Sequence, residues 1–143
     1  MESQATNIKT PEIKQMISPS VADAEFERFA AAMDIDTDKS GMPDEDRVEF
    51  NNSKRLMTRA MVAGKLIIND NGEPVYSYGE QSLTFYEPTG ADFLSMDGKG
   101  ATAGFRKTFH LLSAITRTSP TLFGKMPNRD LKVCQAIVVF FIA

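Results

Sequence analysis

From Val133 to Ala143 the sequence reads VCQAIVVFFIA, and Gln135 is the only polar side chain in it. Pro127-Asn128 starts the helix that carries this stretch. A helix that is apolar all round must be sunk in a core or covered by another chain. Each large apolar side chain left in water forgoes about 1.5–3 kcal/mol, so this stretch dictates how the rest of the chain must be arranged. Two arrangements satisfy it: a central core helix, or a face that meets an oligomer mate or another partner.

The chain has 143 residues, enough for one domain with one modest core. Its single cysteine excludes an internal disulfide and a Cys-based zinc site, and its single histidine excludes two-His metal motifs. The net charge of −3 hides an asymmetry, because residues 1–49 sum to −7 and residues 50–143 to +4. Such polarity suggests self-contact or a partner that reads one sign. A pI near 5.2 argues against nucleic acid as that partner. There is no basic-then-apolar leader and no apolar run of the ~20 residues a membrane span needs, so a cytoplasmic protein without membrane partners is expected.

Residues 1–20, broken by Pro11 and Pro19, read as a flexible N-terminal arm or a short lead-in helix. Residues 21–143 read as one domain in three parts: a helical acidic part over 21–63, a hairpin and strand over 64–87, and helices over 88–143. In the first part, Val21, Phe26, Phe29, Ala30 and Met33 predict an apolar helix face, and Val48, Leu56, Met57, Ala60 and Met61 predict a second. Between them, the acidic run DIDTDKSGMPDED reads as a solvated loop. Asp70-Asn71-Gly72 between two apolar runs is a hairpin signal, and Ser82–Tyr86 should add a third strand. Thr89 with Asp92 resembles a capping box, and Ser119-Pro120 opens a short helical turn after the 101–117 helix. The expected fold class is α+β, a mainly helical single domain with a small three-stranded antiparallel sheet.

Three patterns invite a chemical reading. Counted from Asp36, the acidic run places Asp36, Asp38, Ser40 and Asp44 at positions 1, 3, 5 and 9 of a calcium loop, with Gly41 at position 6. Position 12, which needs a bidentate Glu, is Arg47, and a register from Asp34 puts Lys39 where Gly is required. These four are the weak metal candidates of a calcium-responsive binding module. Gly98-Lys99-Gly100-Ala101-Thr102-Ala103 matches a relaxed dinucleotide fingerprint without the flanking strand it needs, and reads as a connection between helices. His110 and Cys134 lie on apolar helices with no accompanying triad or ligand set. No catalytic residue and no cofactor is expected, and the chain reads as non-enzymatic.

Beyond residue 64 the order of motifs is familiar. The hairpin D-N-G-E-P-V-Y leads to the strand and turn Phe85-Tyr86-Glu87-Pro88-Thr89-Gly90-Ala91-Asp92-Phe93-Leu94. Then follow Leu111-Leu112-Ser113-Ala114-Ile115-Thr116, Ser119-Pro120-Thr121-Leu122-Phe123 and Met126-Pro127-Asn128-Arg129-Asp130, and the last helix ends in Phe140-Phe141. This resembles the tail assembly chaperones of long-tailed bacteriophages, whose members carry patterns such as L-R-E-P-T, L-L-A-x-L-T, S-P-x-x-L and L-x-x-x-D in that order. The resemblance covers about residues 64–143 and leaves residues 1–63 unmatched.

The resemblance implies a chaperone in the host cell cytoplasm that keeps the helical tape measure protein soluble and helps bring tail tube subunits to it. Val138, Phe140, Phe141 and Ile142 are the contact residues expected for such a client, in a helix-in-groove mode. The scattered methionines suit an adaptable surface, and a homo-oligomer is possible. A virion subunit of the tail or connector is the alternative role. Members of the family are often also made as a longer product by ribosomal frameshifting. Phe140-Phe141 can be encoded by a run of T bases, so a slippery heptamer with an open alternative frame is expected near those codons. Sequencing the coding DNA checks this, and its absence there would end the frameshift idea.

Overall fold

The computed structural model describes residues 16–94 and 104–142. Among these residues, two helices, α1 (Pro19–Ala32) and α2 (Asp44–Val62), precede three strands, β1 (Leu66–Ile68), β2 (Pro74–Tyr78) and β3 (Gln81–Thr84). Four helices follow, α3 (Gly90–Leu94), α4 (Gly104–Thr116), α5 (Pro120–Gly124) and α6 (Asn128–Ile142). The fold is α+β and mainly helical, with one antiparallel sheet in the order β1-β2-β3. The dinucleotide-like segment 98–103 and most of the expected N-terminal arm lie outside the described residues.

Local chemistry sets where each element begins. Ser18 caps α1 by accepting a hydrogen bond from the Val21 amide, and Pro19 takes the first helical turn, where a missing N–H costs nothing. Pro19 therefore starts a helix inside the segment expected to be an arm or a short lead-in helix. Asp44, Glu45 and Asp46 form the first turn of α2, where the helix dipole favours carboxylates. The last part of the acidic run is helical for that reason, and the solvated loop is confined to residues 33–43. The Thr89 amide donates to Asp92 Oδ2 at 2.8 Å, the reciprocal half of the capping box.

The ends are equally legible. After α1, Asp34 is left-handed (φ 56) and the Ile35 amide reaches Ala30 O at 2.8 Å. Gly64 (φ 80) does the same after α2, with Lys65 N on Ala60 O at 2.9 Å. Arg117 (φ 59) ends α4, and its guanidinium stacks 3.9 Å over the Tyr86 ring.

The helices bury different faces from those predicted in two places. Phe26, Phe29 and Ala30 are inside as expected, but Ala22 joins them and Val21 is exposed. On α2 the buried row is Phe50, Ser53, Met57, Ala60 and Met61, whereas Val48 is 59% exposed. Both displaced valines lie well over a quarter-turn round the helix from the aromatic residue that fixes the buried side.

The sheet contributes one face to the core. Leu66 pairs with Tyr76 and Tyr76 with Leu83, and all three are buried. Arg28, held by Glu25, donates to the Ile68 and Asn69 carbonyls at 2.6 and 2.8 Å, so the edge of β1 is partly closed by α1. Gly72 (φ 81) closes the hairpin against the end of α1, where an added Cβ would overlap the Ala32 methyl. Replacing Gly72 with Ala should cost about 1–2 kcal/mol for the left-handed backbone alone, and more for the overlap. Urea denaturation measures it, and a variant as stable as the parent would contradict this turn geometry.

Candidate functional site

Helix α6 runs through the middle of the domain and packs most extensively on α2, with further contacts to α4 and β2. Val133, Cys134, Ala136, Ile137, Val138 and Phe140 are buried within this one chain. This decides between the two arrangements that the apolar sequence allowed: α6 is a core helix. Two of the expected contact residues are corrected by it. Val138 and Phe140 are 5% and 4% exposed, so a partner cannot seat on them without prising α6 from its neighbours. Phe141 is half-buried against Phe29, and Ile142 is 53% exposed.

Where α6 ends, the core comes to the surface. Met33, Ile35 and Met42 from the 33–43 connection, Phe50 from α2 and Val139, Phe140 and Phe141 from α6 line a groove of about 560 Å³. That volume lies within the range of sites that hold ligands. Its rim carries four carboxylates: Asp34 and Asp36 on the connection, Asp46 and Glu49 on α2. Each of these acids is exposed, whereas Phe140 forms a nearly inaccessible floor. Behind the floor, Phe140 meets Phe26 and Phe50 edge-on, both at 5.2 Å between ring centres, and Phe29 at 6.2 Å.

The groove was only partly visible in the sequence. Phe140 and Phe141 were expected at a contact site and do line it, but Met33, Ile35, Met42, Phe50 and Val139 were not. Met33 and Met42 flank the acidic loop, and that pairing of methionines with carboxylates was the one available signal.

The calcium-like residues make a different structure. Asp36 Oδ1 accepts the Asp38 amide at 2.9 Å, and Asp38 Oδ1 accepts the Ser40 amide at 3.0 Å and its hydroxyl at 2.8 Å. The Ser40 donors hold the Asp38 carboxyl below its ordinary value. Asp44 pairs with Arg47 instead of turning toward the others. Among the described residues, no three His, Cys, Asp or Glu side chains converge as a metal site.

A second cleft, of about 370 Å³, opens at the other end of α6. Its rim is basic, from Arg59, Lys65, Arg129 and Lys132, and it encloses Tyr76 and Asp130. Asp130 is 5% exposed and accepts the Tyr76 hydroxyl at 2.6 Å and Lys65 Nζ at 3.0 Å. Burial pushes its carboxyl up, but the two hydrogen bonds and the charge of Lys65 outweigh that and hold it below the ordinary value. Burial and the neighbouring carboxylate push the Tyr76 phenol up. Sequence reading met Tyr76 and Asp130 only inside motifs and did not join the three, because their partnership links a strand, a helix and a connection far apart in the chain.

His110 is half-buried on α4. Cys134 is buried with its Sγ 3.8 Å from Met126 Sδ, and burial pushes the thiol up to about 12, far from a reactive thiolate. No helix among the described residues is long and apolar enough to cross a membrane. The chain matches no protein-family model, no curated protein and no solved structure.

Because Asp130 has a lowered folded value, its stabilising contribution is complete above the unfolded carboxylate value of about 4 and is lost as pH falls below it. Asp130→Asn should cost roughly 1–3 kcal/mol at neutral pH. Stability should also fall less steeply in the variant than in the parent below about pH 4. Denaturant unfolding of both across that range checks the sign.

Proposed function

We propose that this chain is a non-catalytic tail assembly chaperone of a long-tailed phage, acting in the host cell cytoplasm to keep a tape measure protein soluble and to help recruit tail tube subunits. The observation that carries this reading is the open apolar groove at the end of α6. A holdase needs apolar contact surface on a body that is otherwise folded, and a groove of this kind supplies it without unfolding the core. Half-buried Met33 and Met42 add side chains that repack around different anchors, as a surface serving a long and variable helical client requires. The motif order over residues 64–143 supports the same reading.

In this reading the client helix lies in the groove and presents anchors at i, i+3 or i+4, and i+7. Phe141 is the member of the expected set best placed to touch it. Phe140 supports the floor from inside, so a charge at that position would unfold the domain before it reported on binding. Met42→Ser is the better probe, since Met42 sits on a connection and outside the aromatic junction.

The chain should be co-expressed with the longest helical protein of its gene neighbourhood. A soluble complex is expected, weakened several-fold by Met42→Ser with the free variant still folded. The chain should be absent from finished particles. Failure to solubilise that protein, together with a stoichiometric place in the particle, would replace the chaperone with a virion subunit.

A further inference from the structure

We infer that the groove is selective by charge, and that its occupant is a basic amphipathic helix: apolar anchors against Met33, Met42 and Phe141, lysine or arginine side chains along the rim. The inference rests on the groove being the client site. It commits to what the client must look like.

The argument begins with uncompensated charge. Among the described residues, Asp34, Asp46 and Glu49 have no ion-pair partner, and Asp36 accepts only a backbone amide. The two cations nearest in sequence have other partners than these four acids. Lys39 donates to Asn51 Oδ1 at 2.9 Å and lies over the Phe50 ring, and Arg47 is paired with Asp44. The carbonyl end of α6, which supplies Val139, Phe140 and Phe141, adds a partial negative charge at the same place. Carboxylates gathered at a helix C-terminus repel both the helix and each other. A cationic partner removes that repulsion, whereas a neutral apolar helix leaves it in place and an acidic one adds to it.

The distribution of the acids decides between an ion and a helix. They stand around the rim without converging on a metal-binding cluster. A point cation needs ligands drawn onto one position, whereas a helix with charges on both flanks of an apolar stripe meets carboxylates spread along a trough. The walls suit the same occupant, since two of them are helices, α2 and α6, between which the side-chain ridges of a third can pack.

The test uses two fluorescent synthetic peptides with the same leucine stripe, one carrying lysine on its polar face and the other glutamate. Anisotropy with the full chain should show the lysine peptide bound at least about tenfold more tightly, with the preference shrinking as salt is raised. Asp46→Lys combined with Glu49→Lys, both on the exposed side of α2, should invert the preference. Asp46→Asn with Glu49→Gln should reduce it, and this milder pair keeps the test valid if charge reversal disturbs the helix start. Equal affinity for the two peptides, no binding of either, or a preference unchanged in both variants would overturn the inference. A chain that solubilises its helical client without preferring the lysine peptide would overturn the inference alone. A chain that prefers the lysine peptide through Asp46 and Glu49 yet fails to solubilise that client would overturn the chaperone reading alone.

Discussion

The ring of Phe140 is the point on which the domain is assembled. It receives Phe26 and Phe29 from α1 and Phe50 from α2, all edge to face, and so fixes three helices against one another through one side chain. Edge-to-face pairs contribute about 0.5–1.5 kcal/mol beyond the area they bury, and Phe140 makes three of them. Lys54 covers Phe26 and Lys39 covers Phe50 from outside, so the rim of the junction is closed by cations whose stems are themselves apolar. Every partner of Phe140 is about ninety residues or more distant in sequence. Contacts of such separation raise the contact order, which slows folding.

The apolar helix α6 is enclosed from several directions. The helix pair α1 and α2 closes on one side, β2 reaches its beginning, and α4 approaches from another. Beyond its first turns, what remains partly open is Gln135, Val139 and Phe141, with Ile142 exposed. The coverage runs out at the last turn, and the groove is the consequence. It is lined by apolar side chains of α2, α6 and the 33–43 connection that continue the core to the surface.

Much of the scaffold was legible because it is written locally. Asp70-Asn71-Gly72 marks the hairpin, Thr89 and Asp92 the small helix, Ser119-Pro120 and Pro127-Asn128 the last two helices, and each acts over a few residues. The differences are local as well: Pro19 starts the first turn of α1 where a breaker is expected, and Phe50 phases α2 so that Val48 faces out. The sites were illegible for a different reason. The groove joins residues 33–50 to residues 139–141, and the Asp130 cluster joins residues 65, 76 and 130. No spacing rule reaches across such intervals, and only a fold brings them together.

The two ends of α6 carry charge in the order least favourable to the helix itself. Arg129 and Lys132 stand at its positive beginning, and the groove acids at its negative end. At the beginning, Asp130 in the first turn and its bond to Lys65 offset part of the cost. At the acidic end, the start of α2 favours Asp46 and Lys39 lies over Phe50, but Asp34, Asp36 and Glu49 have no ion-pair partner among the described residues. The floor cannot be altered freely because the same phenylalanine holds three helices together. Stability therefore fixes the floor and leaves the rim as the part that can vary without unfolding the domain. Under the proposed reading, partner choice would be set by Asp34, Asp36, Asp46 and Glu49, because Phe140 is committed to the core.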